Sequence, residues 1–385
     1  MKFTGYDLEY GIIFSKNAFP LTLSEIEGLS VTITVSYKAE TYTMTLTPDK
    51  NGKIELDLQG ILRSLAPSIT DAQVLYANMR NLNTYRVQIT ASSDYDEECS
   101  FSFLAIDGGI DTNPAQDEVL NTWLTWRPEV SKTYAPAYEE LSVILNPNAV
   151  DGIDSDSQLF RHRVLAKVYL NTGEDIEIEL ADGMLTQEGG FYLRSVNVSL
   201  EIVADALHNL YSEYDASNIL AYDVYGLYCK LDDTVLMTDA PAAQRFIVRP
   251  AKSDLRCFLF RNSLGVFETV CSTGAVTRII TPDVATFITG RSESELVNKS
   301  RPSFKVNTGS LDSSDMVNLW QDFFLSGERY LVSGLKLEKI IVDEGKSEAK
   351  LRSLSDMEFT YHLATQPAGR FRRKNTLNTY NYDEQ

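Results

Sequence analysis

The chain has 385 residues, 43% of them hydrophobic and 23% charged, with a formal net charge of −19. The length exceeds one hydrophobic core and predicts two or three domains, and the composition excludes wholesale disorder. The negative field argues against nucleic acid as a partner, and no run approaches the roughly 18 apolar residues that would predict a membrane span.

The first residues, Met1 to Glu9, are polar and acidic where a secretory segment would be apolar, so export by that route is not expected. Val31–Tyr37 alternates apolar and polar residues as a strand does, and Tyr42 to Leu46 follows it. The turn Pro48-Asp49-Lys50-Asn51-Gly52 then leads to a strand over Lys53 to Leu58, an Asn-Gly step between alternating runs being a strong hairpin signal. A short helix is predicted over Gln59 to Leu65, then strands at Tyr85 to Thr90 and Cys99 to Leu104.

The same order recurs further on. Val164 to Leu170, Ile176 to Leu180 and Tyr192 to Val198 read as strands, Leu200 to Leu210 as a helix, and Ala221 to Tyr228 and Gln244 to Val248 as strands. This weak internal repeat predicts a mainly β chain. Tandem β-sandwich domains of fibronectin III or Ig-like type span residues 1–107 and 108–250, because each strand must bury one apolar face against a second sheet. Gly108 to Pro114 and Arg249 to Ser253 carry the Gly, Pro, Asn and Asp that mark linkers.

The rest differs in kind. Cys257 to Val270 reads as a hairpin turning at Asn262 to Gly265. Met316, Leu319, Trp320, Phe323 and Phe324 recur at helical spacing over Leu311 to Leu325, with Ser313 or Ser314 as cap and Asp315 in the first turn. Strands at Leu337 to Val342 and Met357 to Leu363 complete a C-terminal α+β assembly module over 251–370. Residues 371–385 are expected to form a flexible tail, the basic cluster Arg370, Arg372, Arg373 and Lys374 standing at its start just before the polar end Asn375 to Gln385.

Motifs for chemistry are missing. There is no nucleophile elbow, phosphate loop or dinucleotide fingerprint, and the three histidines lie far apart. His162, between two arginines, and His362, in a predicted strand, are expected at the surface, and His208 on a helix exterior. No zinc spacing exists among the four cysteines, and the acidic loops Asp94 to Glu98 and Asp151 to Asp156 read as solvated, so no metal and no cofactor is expected. Free thiols are expected, with Cys257 and Cys271 able to pair across their hairpin. The expectation is a chain that is not an enzyme. Trp123, Trp126 and Arg127, with Arg261, Phe267 and Tyr330, form the possible interface, since aromatics and arginine anchor such surfaces.

The C-terminal run Phe258 to Thr269, Asn307 to Leu311, Leu319 to Ser326 and Met357 to Ala364 resembles tail and baseplate structural proteins of tailed bacteriophages and prophages. The resemblance implies a non-enzymatic assembly protein of the virion tail, made in the host cytoplasm, with other protein subunits or its own copies as partners. A cell-surface carbohydrate-binding or adhesion protein is the alternative reading. A polysaccharide-acting hydrolase with an unrecognised site is a second.

Overall fold

Strict alternation makes Val31–Tyr37 a strand in which every second side chain is buried. In the computed structural model, residues 1–4, 12–37, 40–65, 79–81, 86–109, 119–135, 137–146, 150, 159–186, 191–251, 253–289, 292–334, 336–346 and 356–365 are described. The fold is mainly β, with several sheets.

The first stretch runs β1 (Lys2–Thr4), β2 (Ile12–Phe14), β3 (Pro20–Ser24), β4 (Val31–Tyr37), β5 (Glu40–Leu46), β6 (Ile54–Asp57), α1 (Gln59–Leu65), β7 (Met79–Asn81), β8 (Arg86–Ser92) and β9 (Cys99–Ile106). One sheet has the order β2-β9-β8-β4-β5, another the order β1-β3-β6. Leu21, Leu23 and Ile54 from the smaller sheet and Ile33, Val35 and Ile89 from the larger share one buried cluster. Burial of each such side chain is worth about 1.5–3 kcal/mol.

The second stretch contains β10 (Val130–Tyr134), β11 (Glu140–Leu145), β12 (Leu159–Leu170), β13 (Asp175–Thr186), β14 (Tyr192–Asn197), α2 (Leu200–Leu210), β15 (Ile219–Cys229), β16 (Val235–Met237) and β17 (Gln244–Arg249). Its larger sheet is ordered β10-β17-β15-β12-β13, and the smaller β11-β14-β7. The larger sheets of the two stretches match in strand order, β2-β9-β8-β4-β5 against β10-β17-β15-β12-β13. In each larger sheet the first strand lies parallel to the last, and every other neighbour is antiparallel. In each smaller sheet an antiparallel pair, β3 with β6 or β11 with β14, precedes a helix. Helix α2 buries Leu200, Val203, Ala204 and Leu207, the spacing of one face, into the core of its stretch.

Strand β7 crosses the boundary expected near residue 107. It lies in the first stretch by sequence but pairs with β14 of the second. Arg80 on β7 also forms an ion pair with the buried carboxylate of Glu140 on β11. The linker residues 110–118, the acidic run Asp151 to Asp156 and the basic cluster at Arg370 to Lys374 lie outside the described residues.

The last stretch builds one seven-stranded sheet in the order β19-β18-β22-β23-β24-β21-β20. Its elements are β18 (Arg256–Arg261), β19 (Phe267–Ser272), β20 (Val276–Thr289), β21 (Ser292–Asn307), α3 (Ser314–Leu325), β22 (Arg329–Ser333), β23 (Lys336–Lys346) and β24 (Glu358–Leu363). Helix α3 starts at Ser314, three residues later than its apolar spacing suggests. Ser313 sits in extended backbone and its hydroxyl accepts from the Met316 N–H at 3.2 Å, which fixes the first turn there. The helix lays Leu319, Trp320 and Phe323 on its own sheet against Phe258, Phe260 and Phe359.

Candidate functional site at the junctions of the chain

Where the three stretches meet, polar groups are buried in number, and burial of charge without partners is costly. The chain crosses from the first stretch to the second as an irregular segment laid along β11. Asn121 N–H donates to Ile144 O and Leu124 N–H to Ser142 O, both at 2.8 Å, and Trp123 forms a single bridge with Val143. Trp123 is half-buried in the core of the second stretch, and its indole N–H donates to Ala242 O at 2.9 Å. Trp126 is 38% exposed and donates to Ser263 Oγ at 2.8 Å, so it bridges to the turn between β18 and β19.

Arg127 then enters the interior. Its Nη2 lies 2.6 Å from Glu139 Oε2 and its Nε lies 3.4 Å from Glu268 Oε1. Nη2 also donates to Thr269 O at 2.6 Å. Glu268 also accepts from the Thr125 hydroxyl and, at 2.8 Å, from Asn262 Nδ2. Burial pushes both carboxyl groups above the usual carboxylate range, and the Arg127 charge opposes that rise. Burial also works against the guanidinium, but Glu139 and Glu268 more than offset it. One cation between two carboxylates, drawn from two stretches, is a clamp whose partners cannot be separated without exposing charge to an apolar interior.

A second clamp joins the last stretch to the first. Arg261 Nε lies 2.8 Å from Glu328 Oε2 and 3.6 Å from Asp107 Oδ2, and the guanidinium sits over the Phe267 ring at 5.0 Å. Gly109 N–H donates to Ser263 O at 2.7 Å. The approach is too close for a side chain. A Cβ on Gly108 would meet Ser263 O at 2.5 Å, and one on Gly265, whose φ is +81°, would meet Ile106 Cγ2 at 2.5 Å. Ile106, Leu124, Ile144, Leu264 and Val266 fill the apolar space beside it, so all three stretches share this cluster.

Arg261 and Phe267 are therefore buried inside the chain, and Tyr330 is half-buried against Phe267 with its hydroxyl on Glu328 at 2.7 Å. They do not form an open patch, because the first and second stretches already cover this face. Beside Arg127 a cavity of about 480 Å³ opens between β10 and the loop before α3, lined in part by Lys132, Tyr134, Glu139, Cys271 and Trp320. An ion pair between Lys132 and Asp312 stands on its wall. Burial lifts the Tyr134 phenol to about 12.

Two histidines are inside, contrary to expectation. His362, on β24, is buried and paired with Asp343 of β23 at 2.7 Å. His162 is fully buried on β12 although arginines flank it, since alternation sends Arg161 and Arg163 outward to Asp182 and Glu179. His162 Nε2 donates to Ala240 O at 2.8 Å, and Nδ1 accepts from Arg194 Nη1 at 3.1 Å. That arrangement suits the neutral ring. Burial and the Arg194 charge lower its pKa from 6.5 to about 3. The unfolded chain takes up this proton near its ordinary pKa while the native chain does not. Stability from this group is therefore constant above 6.5 and declines as pH falls from 6.5 towards 3. The expected slope is about 1.4 kcal/mol per pH unit for one proton. Denaturant unfolding across that window should show a steeper decline for the natural chain than for His162→Gln. Equal slopes would place His162 in water. His208 is exposed, with Nδ1 on Tyr214 O at 3.0 Å.

Glu139, Glu268, Asp107 and Glu328 carry the clamps and escape sequence reasoning. The available signal was an acid set inside an apolar strand, as in Phe267-Glu268-Thr269-Val270. Asp96, read as a solvated loop acid, instead accepts from the N–H groups of Glu27 and Gly28 at 3.1 and 3.3 Å.

No protein-family model matches the chain, and no curated protein matches it. Among solved structures it is similar to the full extracellular region of plexin A4, at 10% identity and a TM-score of 0.20, over 92% of this chain and 39% of that one. It is similar to pT26-6p at 11% identity and a TM-score of 0.18, over 63% of each chain. Invasin, a bacterial integrin-binding protein, is similar at 10% identity and a TM-score of 0.18, over 76% of this chain and 53% of that one. The chain thus spans less than two thirds of each, and likenesses of this degree define neither fold nor function.

Proposed function

We propose that this chain is a non-enzymatic structural protein that docks onto neighbouring subunits. It is two tandem β-sandwiches of Ig-like type, related by internal duplication, followed by an α+β assembly module. The matched strand order of the first two stretches supports the duplication. The clamps at Arg127 and Arg261 support a chain that acts as one rigid piece.

The observation that carries the assembly reading is the arm made by β20 and β21. These strands pair from Val276↔Val306 out to Thr289↔Ser292, yet β24 covers β21 only from Ser303 to Asn307. Among the described residues, the ribbon beyond Ile280↔Pro302 is paired only with itself. At about 3.3 Å per residue it reaches roughly 30 Å past the sheet. A lone two-stranded ribbon is marginal in water, and its open edges invite pairing with another chain. The C-terminal run that resembles phage tail and baseplate proteins gives the setting, a virion tail in which such arms bind adjacent subunits.

Light scattering across a concentration series tests this. The full chain is expected to gain mass with concentration, or to be captured by products of adjacent tail genes. A variant in which residues 283–299 are replaced by an Asn-Gly turn should stay monomeric and uncaptured. A full chain that remains monomeric and binds none of those products, or a shortened chain that associates equally well, overturns the role of the arm.

A further inference from the structure

Alternation along the β18–β19 hairpin sets two cysteines face to face. Arg261 N–H donates to Glu328 O at 3.0 Å, on the side away from β19. Counting back by two, Leu259 and Cys257 turn their backbones the same way. Cys257 pairs in register with Cys271, so this is a non-hydrogen-bonded pair, the kind in which facing side chains come closest. The two Sγ atoms lie 2.6 Å apart and both residues are free thiols. Directly opposed cysteines of such a pair are within the reach of a disulfide. Cys257 is buried; Cys271 is half-buried and lines the cavity beside Arg127, which gives a reagent a way in.

We propose that Cys257 and Cys271 form a redox site that a small disulfide oxidant, of the oxidised glutathione class, closes into a cross-strand disulfide. The Cys271 thiolate attacks one sulfur of the oxidant, forming a mixed disulfide and releasing one thiolate. The Cys257 thiolate then attacks the Cys271 sulfur, forming the internal bond and releasing the second. The protein loses two electrons and two protons, and the oxidant leaves as two thiols. The bond ties β19, an edge strand carrying Glu268 and Thr269 of the Arg127 clamp, to β18. The Cys257 thiol and burial hold Cys271 well above the usual thiol range, so closure quickens as pH rises.

The test is incubation of the full chain with oxidised glutathione at mildly alkaline pH, followed by thiol titration of the denatured product and peptide mapping. The free thiols should fall from four to the pair Cys99 and Cys229, with loss of two hydrogens and a linked peptide joining Cys257 to Cys271. Cys257→Ser should stop at a glutathione adduct on Cys271. The Cys99→Ser, Cys229→Ser double variant should still close the bridge. A natural chain that keeps all four thiols, halts at the mixed disulfide, or links either residue to Cys99 or Cys229 overturns the proposal.

Discussion

Replacing Arg127 with alanine is expected to lower the unfolding free energy by about 3–5 kcal/mol. The side chain is 4% exposed and the two carboxylates it holds are 2% exposed. Removing it leaves Glu139 and Glu268 in the interior with hydrogen-bond donors but without a cation, and their charge then has to be neutralised by protons or hydrated by opening the junction. The loss should be read from equilibrium denaturation. A companion carrying Arg127→Met, Glu139→Gln and Glu268→Gln should recover much of it, because uncharged groups of similar volume impose no such penalty. A cost for Arg127→Ala below about 1 kcal/mol would be that of a solvent-exposed ion pair and would remove the clamp from the account.

The second large effect is expected at Trp320. Its ring is fully buried, with ring centroids at 5.3 Å from Phe323, 5.8 Å from Phe359, 6.1 Å from Phe324 and 6.4 Å from Phe258. Trp320→Ala should cost about 3–5 kcal/mol, from lost burial plus a hole that these rings, each held by the sheet or by α3, cannot fill. Trp320→Phe keeps most of the packing and should cost clearly less. Leu325, on the outer face of the same helix, is 84% exposed, and Leu325→Ala should change stability by no more than about 0.5 kcal/mol. Denaturation of the three variants side by side separates burial from helix propensity. Similar losses for Trp320→Ala and Leu325→Ala would mean that α3 does not rest on the sheet through Trp320.

What was legible in the sequence follows from how local each signal is. Val31–Tyr37, Gln59–Leu65 and Leu200–Leu210 carry their periodicity within one element, and the structure forms them over those same residues. The order of strands and helix was also readable, since order along the chain is a sequence property, but the hairpin expected at Asn51-Gly52 does not form: Glu40–Leu46 pairs with Val31–Tyr37 and Ile54–Asp57 with Pro20–Ser24, in different sheets. The short strands Lys2–Thr4, Ile12–Phe14 and Met79–Asn81 are different, because three residues cannot establish a period and their pairing is set by a distant edge. The long strands Val276–Thr289 and Ser292–Asn307 were hidden by Pro282, Pro302 and a polar composition, which a ribbon beyond the sheet tolerates and a central strand does not.

The candidate site was legible in part for the same reason. Arg127 and Arg261 stood out as arginines beside aromatics, but each draws one partner from another stretch, Glu268 for Arg127 and Asp107 for Arg261, at separations that no local pattern encodes. The flanking arginines made His162 look exposed, although alternation along a strand buries the residue between two outward neighbours.

The parallel pairing of first and last strands has a mechanical consequence. The chain enters the middle sheet on β10 and leaves it on β17, and the two lie side by side from Val130↔Arg245 to Tyr134↔Arg249. Tension between the two ends of this stretch pulls those neighbours along their length in opposite directions. The hydrogen bonds between them are then loaded together, in shear, and cannot open one after another like a zipper. The first stretch repeats the device, with β2 beside β9. In both stretches the resistance to extension comes from this pairing of first and last strands.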